Sequence, residues 1–220
     1  MDFQSIQDKI PPELYEILGK EIKNLMPAQE KSVDEGLLNG KNLLVCTPTA
    51  SGKTLIAELA AMKSIIEKNG KAVYIVPLKA LASEKFKDFK RKYEKIAKIA
   101  LSIGDIDSSD PFLAEYDLII TTSEKLDSLT RHHAPWLSGI SVVIVDEIHL
   151  LNDHERGPTL EILLTILKQV LKKAQFIGLS ATIGNAQELA EWMDACLVVD
   201  EWRPVKLHKG IYMDGKIEFY

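Results

Sequence analysis

A chain of 220 residues, 46% hydrophobic and 27% charged, can bury one substantial core and has the make-up of an ordinary folded domain. Its apolar runs, Ser141–Val145 among them, are too short to cross a bilayer, and Pro11, Pro12 and the charges around them exclude a secretory leader, so a cytoplasmic protein with no membrane partner is expected. With 27 basic against 32 acidic residues the net charge is −5, which excludes a protein that grips polyanions by bulk positive charge.

Pro11-Pro12 opens a predicted helix over Glu13–Lys23, with Leu14, Ile17, Leu18 and Ile22 as its apolar stripe. A second helix is predicted over Ala28–Leu38, closed by the cap pair Asn39-Gly40. From there strands alternate with helices. Strands are predicted at Asn42–Cys46, Ala72–Val76, Ile99–Ile103, Leu118–Thr121, Val142–Val145 and Phe176–Leu179. Helical patterns lie between or after them at Thr54–Lys68, Ala80–Tyr93, Ser123–Arg131, Pro158–Leu171 and Ala186–Trp192. Strands of nearly continuous Val, Ile and Leu are buried on both faces, as in a parallel sheet covered by helices. The expected fold is therefore α/β, a mostly parallel sheet with helices on both faces. From Val205 the pattern changes: Lys206–Met213, the turn Asp214-Gly215 and Lys216–Tyr220 read as a β-hairpin. Cys46 and Cys196 each lie in an apolar stretch and are expected to be structural thiols in a reducing compartment.

Ligands of such sheets bind at the carboxyl ends of the strands, and the chemically suggestive residues follow strands here. After the first strand comes Thr47-Pro48-Thr49-Ala50-Ser51-Gly52-Lys53-Thr54, opening a helix, which is the setting a phosphate loop requires. Backbone amides at a helix start favour an anion, Gly52 permits close approach, Lys53 reaches the β- and γ-phosphates, and Thr54 can ligate magnesium. The usual first glycine is replaced by Thr47. Alone, this motif says only nucleoside triphosphate. After another strand stand Asp146 and Glu147, a costly pair unless a cation or a reaction uses them, although such pairs also begin solvated loops. Asp146 suits the magnesium ion, and Glu147 suits the task of orienting and deprotonating water. His149 is either a packed surface histidine or a relay of nucleotide state. Ser180 and Thr182 offer hydroxyls that could receive that signal, though helix capping is the common use of such residues.

Gln29, Thr47–Thr54, Asp146–His149 and Ser180–Thr182 together resemble the Q motif and motifs I, II and III of superfamily 2 helicases. Val76–Ala82, Ser102–Asp105 and Thr121–Leu126 look like the nucleic-acid-contacting motifs of that superfamily. Arg156-Gly157, Thr182–Asn185 and Trp202–Val205 narrow the resemblance to the Ski-two-like subgroup, and within it to archaeal repair helicases of the Holliday junction migration type. The resemblance covers about Leu25 to Pro204. It implies a RecA-like P-loop NTPase domain over residues 1–204, with 205–220 as a hairpin leading toward a second RecA-like lobe of the same polypeptide. It implies ATP and Mg2+ as ligands, with Gln29 reading adenine through its amide; no aromatic residue stands at the family's place before Gln29. It implies contacts from Pro77, Lys79, Ala80, Gly104, Asp105, Thr121, Thr122 and Lys125 to the backbone of one strand, which needs little net charge. The implied activity is 3′–5′ translocation on single-stranded DNA with unwinding of forks, by a monomeric fragment that is largely inactive alone.

Three rivals remain at this point. A Ski-two-like RNA helicase would share every motif, since these contact backbone. A P-loop ATPase that moves no nucleic acid leaves Pro77–Ala82 and Thr121–Lys125 unexplained. A non-catalytic scaffold has no need of Lys53, Thr54, Asp146 and Glu147 together.

Overall fold

The computed structural model describes residues 1–104, 110–205, 208, 210–213 and 215–219. Seven parallel strands make one sheet: β1 (Leu43–Cys46), β2 (Lys71–Val76), β3 (Ile99–Ser102), β4 (Leu118–Thr122), β5 (Ile140–Val145), β6 (Gln175–Ser180) and β7 (Cys196–Val199), in the order β3-β4-β2-β5-β6-β1-β7. The helices are α1 (Pro12–Leu18), α2 (Pro27–Asp34), α3 (Lys53–Ile66), α4 (Lys79–Tyr93), α5 (Ser123–Arg131), α6 (Gly157–Val170) and α7 (Ala186–Met193).

Alternation along each strand divides the core in two. Leu43, Val45, Tyr74, Ile120, Ile144 and Leu179 face one side and pack with α1 to α4, whereas Leu44, Val73, Ile119, Val143 and Phe176 face the other and pack with α5 to α7. The central strands are buried along their whole length, which is why their sequences read as unbroken apolar runs. Each fully buried Leu, Ile or Val contributes about 1.5–3 kcal/mol of transfer free energy, so the sheet is a rigid floor for the loops at its rim.

Three expectations need correction. The first helix ends at Leu18, capped by Gly19, so Ile22 packs from the following loop and not from the helix. The second helix ends at Asp34, because Gly36 takes φ 106°, and Leu37–Asn39 then forms a separate 3-10 turn. The strand β7 was not expected at all; it adds to the edge of the sheet beside β1. The predicted hairpin is present as antiparallel β8 (Gly210–Met213) and β9 (Lys216–Phe219), with Ile211, Tyr212, Met213, Ile217 and Phe219 all exposed. Lys206, Asp214 and Tyr220, part of that expectation, lie outside the described residues. Cys46 is buried and Cys196 half-buried, both as free thiols.

Candidate active site

The phosphate loop joins β1 to α3 and is pinned at both ends. The Thr47 amide donates to the Ser180 carbonyl at 3.2 Å, so β6 holds the loop's entry. The Thr47 and Ser51 hydroxyls lie 2.6 Å apart, both buried, and close the loop on itself; this gives Thr47 a use in the place of the usual glycine. Ala50 (φ 66°) and Gly52 (φ 80°) are left-handed, an arrangement that turns successive amides toward one centre. Gly52 has no alternative, since a Cβ there would overlap the Gln29 amide and Met26 Sδ. Pro48 is buried and Thr49 exposed at the loop's tip.

Lys53 begins α3 and folds across the loop, its ammonium donating to the carbonyls of Thr47 (2.9 Å) and Pro48 (3.4 Å). Burial pushes its pKa down, and the charges of Glu147 and Asp146 push it back up. An ammonium spent on loop carbonyls can exchange them for phosphate oxygens without disturbing the core. Gln29 is buried, at 3% exposure; its Oε1 accepts the Met26 amide at 2.8 Å and its Nε2 donates to the Gly52 carbonyl at 2.9 Å. The amide therefore clamps α2 to the phosphate loop, leaving one donor and one lone pair for a base.

The acidic pair stands at the end of β5. Both Asp146 oxygens are engaged: Oδ2 accepts the Tyr74 hydroxyl at 2.9 Å, and Oδ1 accepts the Glu147 amide at 3.0 Å. Burial, then the negative charge of Asp146, raises the Tyr74 pKa far above its ordinary value, so that hydroxyl stays a donor. Glu147 takes a left-handed φ of 52°, an uncommon backbone state for a residue other than glycine. The Thr54 hydroxyl accepts from Lys85 Nζ at 2.9 Å, and the same ammonium lies 3.9 Å from Asp146 Oδ2. A cation already bridges this hydroxyl and carboxylate, so the donor set suits one. No cluster of three or more His, Cys, Asp or Glu gathers among the described residues.

His149 Nδ1 lies 3.3 Å from Glu147 Oε2 and 3.4 Å from the Ala181 amide. The path from the acidic pair to the loop after β6 therefore ends on a main-chain amide, not on the two hydroxyls expected to receive it. Ser180 Oγ is buried with no hydrogen-bond partner, and Thr182 is exposed. Ser180 lies instead against the Cys46 thiol, whose pKa burial raises, with Ser180 and Lys53 opposing that shift.

A groove of about 350 Å³ opens beside this centre, bordered by Pro77, Leu78, Lys79, Gly104, Thr122, Glu124, Lys125 and Arg156. It unites residues from four segments that sequence spacing alone keeps far apart. Lys79 and Ala80 are exposed at the start of α4, and Gly104 is exposed with φ 111°. Asp105, also expected there, lies outside the described residues. At the β4–α5 junction, where contacts through main-chain amides and hydroxyls are expected, the side chains are engaged within the protein. Thr121 is buried with its hydroxyl on the Ser102 carbonyl, Thr122 caps α5, and Lys125, at 4% exposure, pairs with Asp110 at 2.8 Å. Those groups brace the groove's wall from within. Arg156, not assigned a role by the sequence reading, lines both the groove and the pocket behind Asp146 and Glu147. Its neighbour Gly157 fixes the approach of α6, because a Cβ would overlap the Leu151 carbonyl.

The sequence pattern of the DEAD/DEAH box helicases matches residues 26–189, most of the chain and every part of the site just described. The chain belongs to the DEAD/DEAH box helicase family. It is 53% identical over 205 residues, 90% of its length, to the ATP-dependent DNA helicase Hel308 of Methanococcus vannielii, of which it covers 27%. It is 58% identical over 205 residues to the same-named helicase of Methanocaldococcus jannaschii, covering 90% of this chain and 17% of that one. The chain thus spans less than a third of the length of these curated relatives. Among solved structures, the DUF1998 helicase MrfA bound to DNA superposes with a TM-score of 0.77 at 25% identity, over 88% of this chain and 30% of that one. The Ski-two-like, archaeal repair-helicase resemblance read from the motifs agrees with these relatives.

Proposed function

We propose that this chain is the ATP-binding lobe of an ATP-dependent 3′–5′ DNA helicase that translocates on a single strand and opens forked or branched DNA in repair. One observation carries the reading: a clamped phosphate loop, an acidic pair and a groove bordered by segments that follow four strands lie side by side on one rim of one sheet. DNA is favoured over RNA by the relatives at about 50% identity, whose names are those of DNA helicases.

In this reading Thr54 and Asp146 would hold magnesium, whose charge would offset that of the phosphates. Lys53 leaves the Thr47 and Pro48 carbonyls for the β- and γ-phosphates. Glu147 orients the attacking water and accepts its proton on a carboxylate oxygen. Gln29 couples the base to the loop through Gly52. His149 passes the state of Glu147 to Ala181. Pro77, Lys79, Ala80 and Gly104, with Asp105, contact the backbone of the strand; Thr121, Thr122 and Lys125 keep their walls in place.

Residues 1–204 form the lobe itself, and 205–220 lead toward a second RecA-like lobe of the same cytoplasmic polypeptide; the greater length of the relatives supports this. The test is steady-state ATPase of this chain, and of the polypeptide carrying both lobes, with single-stranded DNA, single-stranded RNA or neither. DNA-stimulated turnover in the two-lobed protein, near background in residues 1–220, is the expected result, because a missing arginine finger alone costs about a thousandfold or more. Equal stimulation by RNA overturns the DNA assignment.

A further inference from the structure

Lys85 belongs to no motif, yet it is the residue that occupies the metal's neighbourhood. It projects from α4 with its side chain 20% exposed, and its ammonium is held on three sides. Thr54 Oγ1 accepts from it at 2.9 Å, Asp146 Oδ2 lies 3.9 Å away, and the Tyr74 ring lies 5.8 Å below, with the Tyr74 hydroxyl on that same Asp146 oxygen. Thr54 and Asp146 are the two protein ligands assigned to magnesium above.

We propose that Lys85 is a built-in counter-cation of the magnesium site, holding Thr54 and Asp146 together until the metal of the incoming nucleotide displaces it. This rests on the nucleotide reading given above. Two cations cannot share one hydroxyl lone pair and one carboxylate oxygen at these distances, since like charges a few ångströms apart repel strongly in a half-buried site. Without the ammonium, the Asp146 carboxylate at the rim would face the neighbouring Glu147 with only Lys53 to offset the two charges. The same geometry places two sites along one helix. Lys85 lies on the second turn of α4, whose first residue, Lys79, borders the strand-binding groove.

The test needs no nucleotide. Thermal unfolding of the full chain is followed against MgCl2, with MnCl2 in parallel, for the wild type, Lys85→Met, Lys85→Arg and the double variant Lys85→Met with Asp146→Asn. Removing the internal competitor should tighten the apparent divalent affinity by about fivefold, the scale of a partly screened ion pair. Lys85→Arg, which keeps the charge, should restore the weak response, and Asp146→Asn should abolish the gain. Lys85→Gln reaches Thr54 without charge and gives the same reading if Lys85→Met melts early in EDTA. Unchanged or weaker divalent affinity in both neutral variants overturns the proposal, as does a gain that survives Asp146→Asn. Binding of a fluorescent ADP to the wild type is measured beside it. Loss of that binding with the divalent competition intact would reject the nucleotide reading and leave Lys85 as a counter-cation of a metal site.

Discussion

Gln29 Nε2 donates to the carbonyl of Gly52 across 2.9 Å, and through this single bond α2 holds the phosphate loop in shape. Replacing Gln29 with Glu keeps the size and removes the donor. The Gly52 carbonyl would keep the Leu55 amide at 3.2 Å, but a carboxylate oxygen at this 3%-exposed position would face it without a donor, which costs about 1–3 kcal/mol. Urea unfolding should show that loss together with weaker binding of a fluorescent ADP. Equal stability with intact nucleotide binding would mean that the loop does not depend on the clamp.

Lys53→Ala removes an ammonium whose partners are two loop carbonyls and no core atom. The urea midpoint should therefore move little, by about half a kcal/mol or less, as for substitutions outside special features. Nucleotide binding should be lost. Near-normal binding in the variant would sink the phosphate-loop assignment.

Glu147→Gln keeps the shape at a left-handed position and cannot take a proton. In the two-lobed polypeptide, magnesium-nucleotide affinity should stay close to wild type while hydrolysis slows by roughly a hundredfold or more. Collapse of affinity with unchanged single-turnover hydrolysis would give Glu147 a different task.

Lys125 and Arg156 border the same groove and should respond in opposite ways. Lys125→Met removes a buried ammonium that holds Asp110 at 2.8 Å and should cost about 1–3 kcal/mol in stability. Arg156→Ala should leave the melting profile nearly unchanged, weaken single-stranded DNA binding evenly across sequences, and reduce the salt slope by about one. A salt titration of both variants separates the roles; a stability loss confined to Arg156→Ala would reverse them.

Asp200 gives the chain an acid-sensitive tie between β7 and α2. Burial alone would raise its pKa, but the Lys31 ammonium at 2.8 Å and the Trp202 amide at 2.7 Å outweigh this and hold it below the usual carboxylate range. A depressed native pKa means that the contribution is present above the unfolded value near 3.9 and is lost as pH falls through the lower native one. Asp200→Asn should flatten the loss of stability below about pH 4 in urea titrations run from pH 7 downward. Identical acid slopes in both proteins would remove Asp200 from the account.

The inner strands and the ligand loops were legible because each is a local pattern: an apolar run, then a phosphate-binding or acidic motif. What failed was long-range. β7 is four residues long and sits at an edge with only Val198 fully buried, so no continuous buried run announces it. Ile22 keeps helical spacing with Leu18, yet Gly19 ends the helix between them. The direction of a side chain is also invisible in sequence. Thr121, Thr122 and Lys125 have the residue types of a phosphate-contacting surface, and the pairing of β4 with β3 turns them inward against Ser102 and Asp110. Arg156 went unassigned for the converse reason, since only the packing of α6 brings it beside Asp146 and Pro77.

Every working loop leaves the same rim of the parallel sheet, and the opposite rim is formed by turns such as Leu171–Ala174. Lys172 is exposed there, a full strand away from Asp146 and Glu147: β6 spans six residues, about 20 Å. That end of the molecule is a natural handle. A dye or surface tether attached at Lys172 would hold every protein in one orientation, with the nucleotide site and the groove facing the solution, and single-molecule stepping would be watched from a fixed point that the reaction never touches.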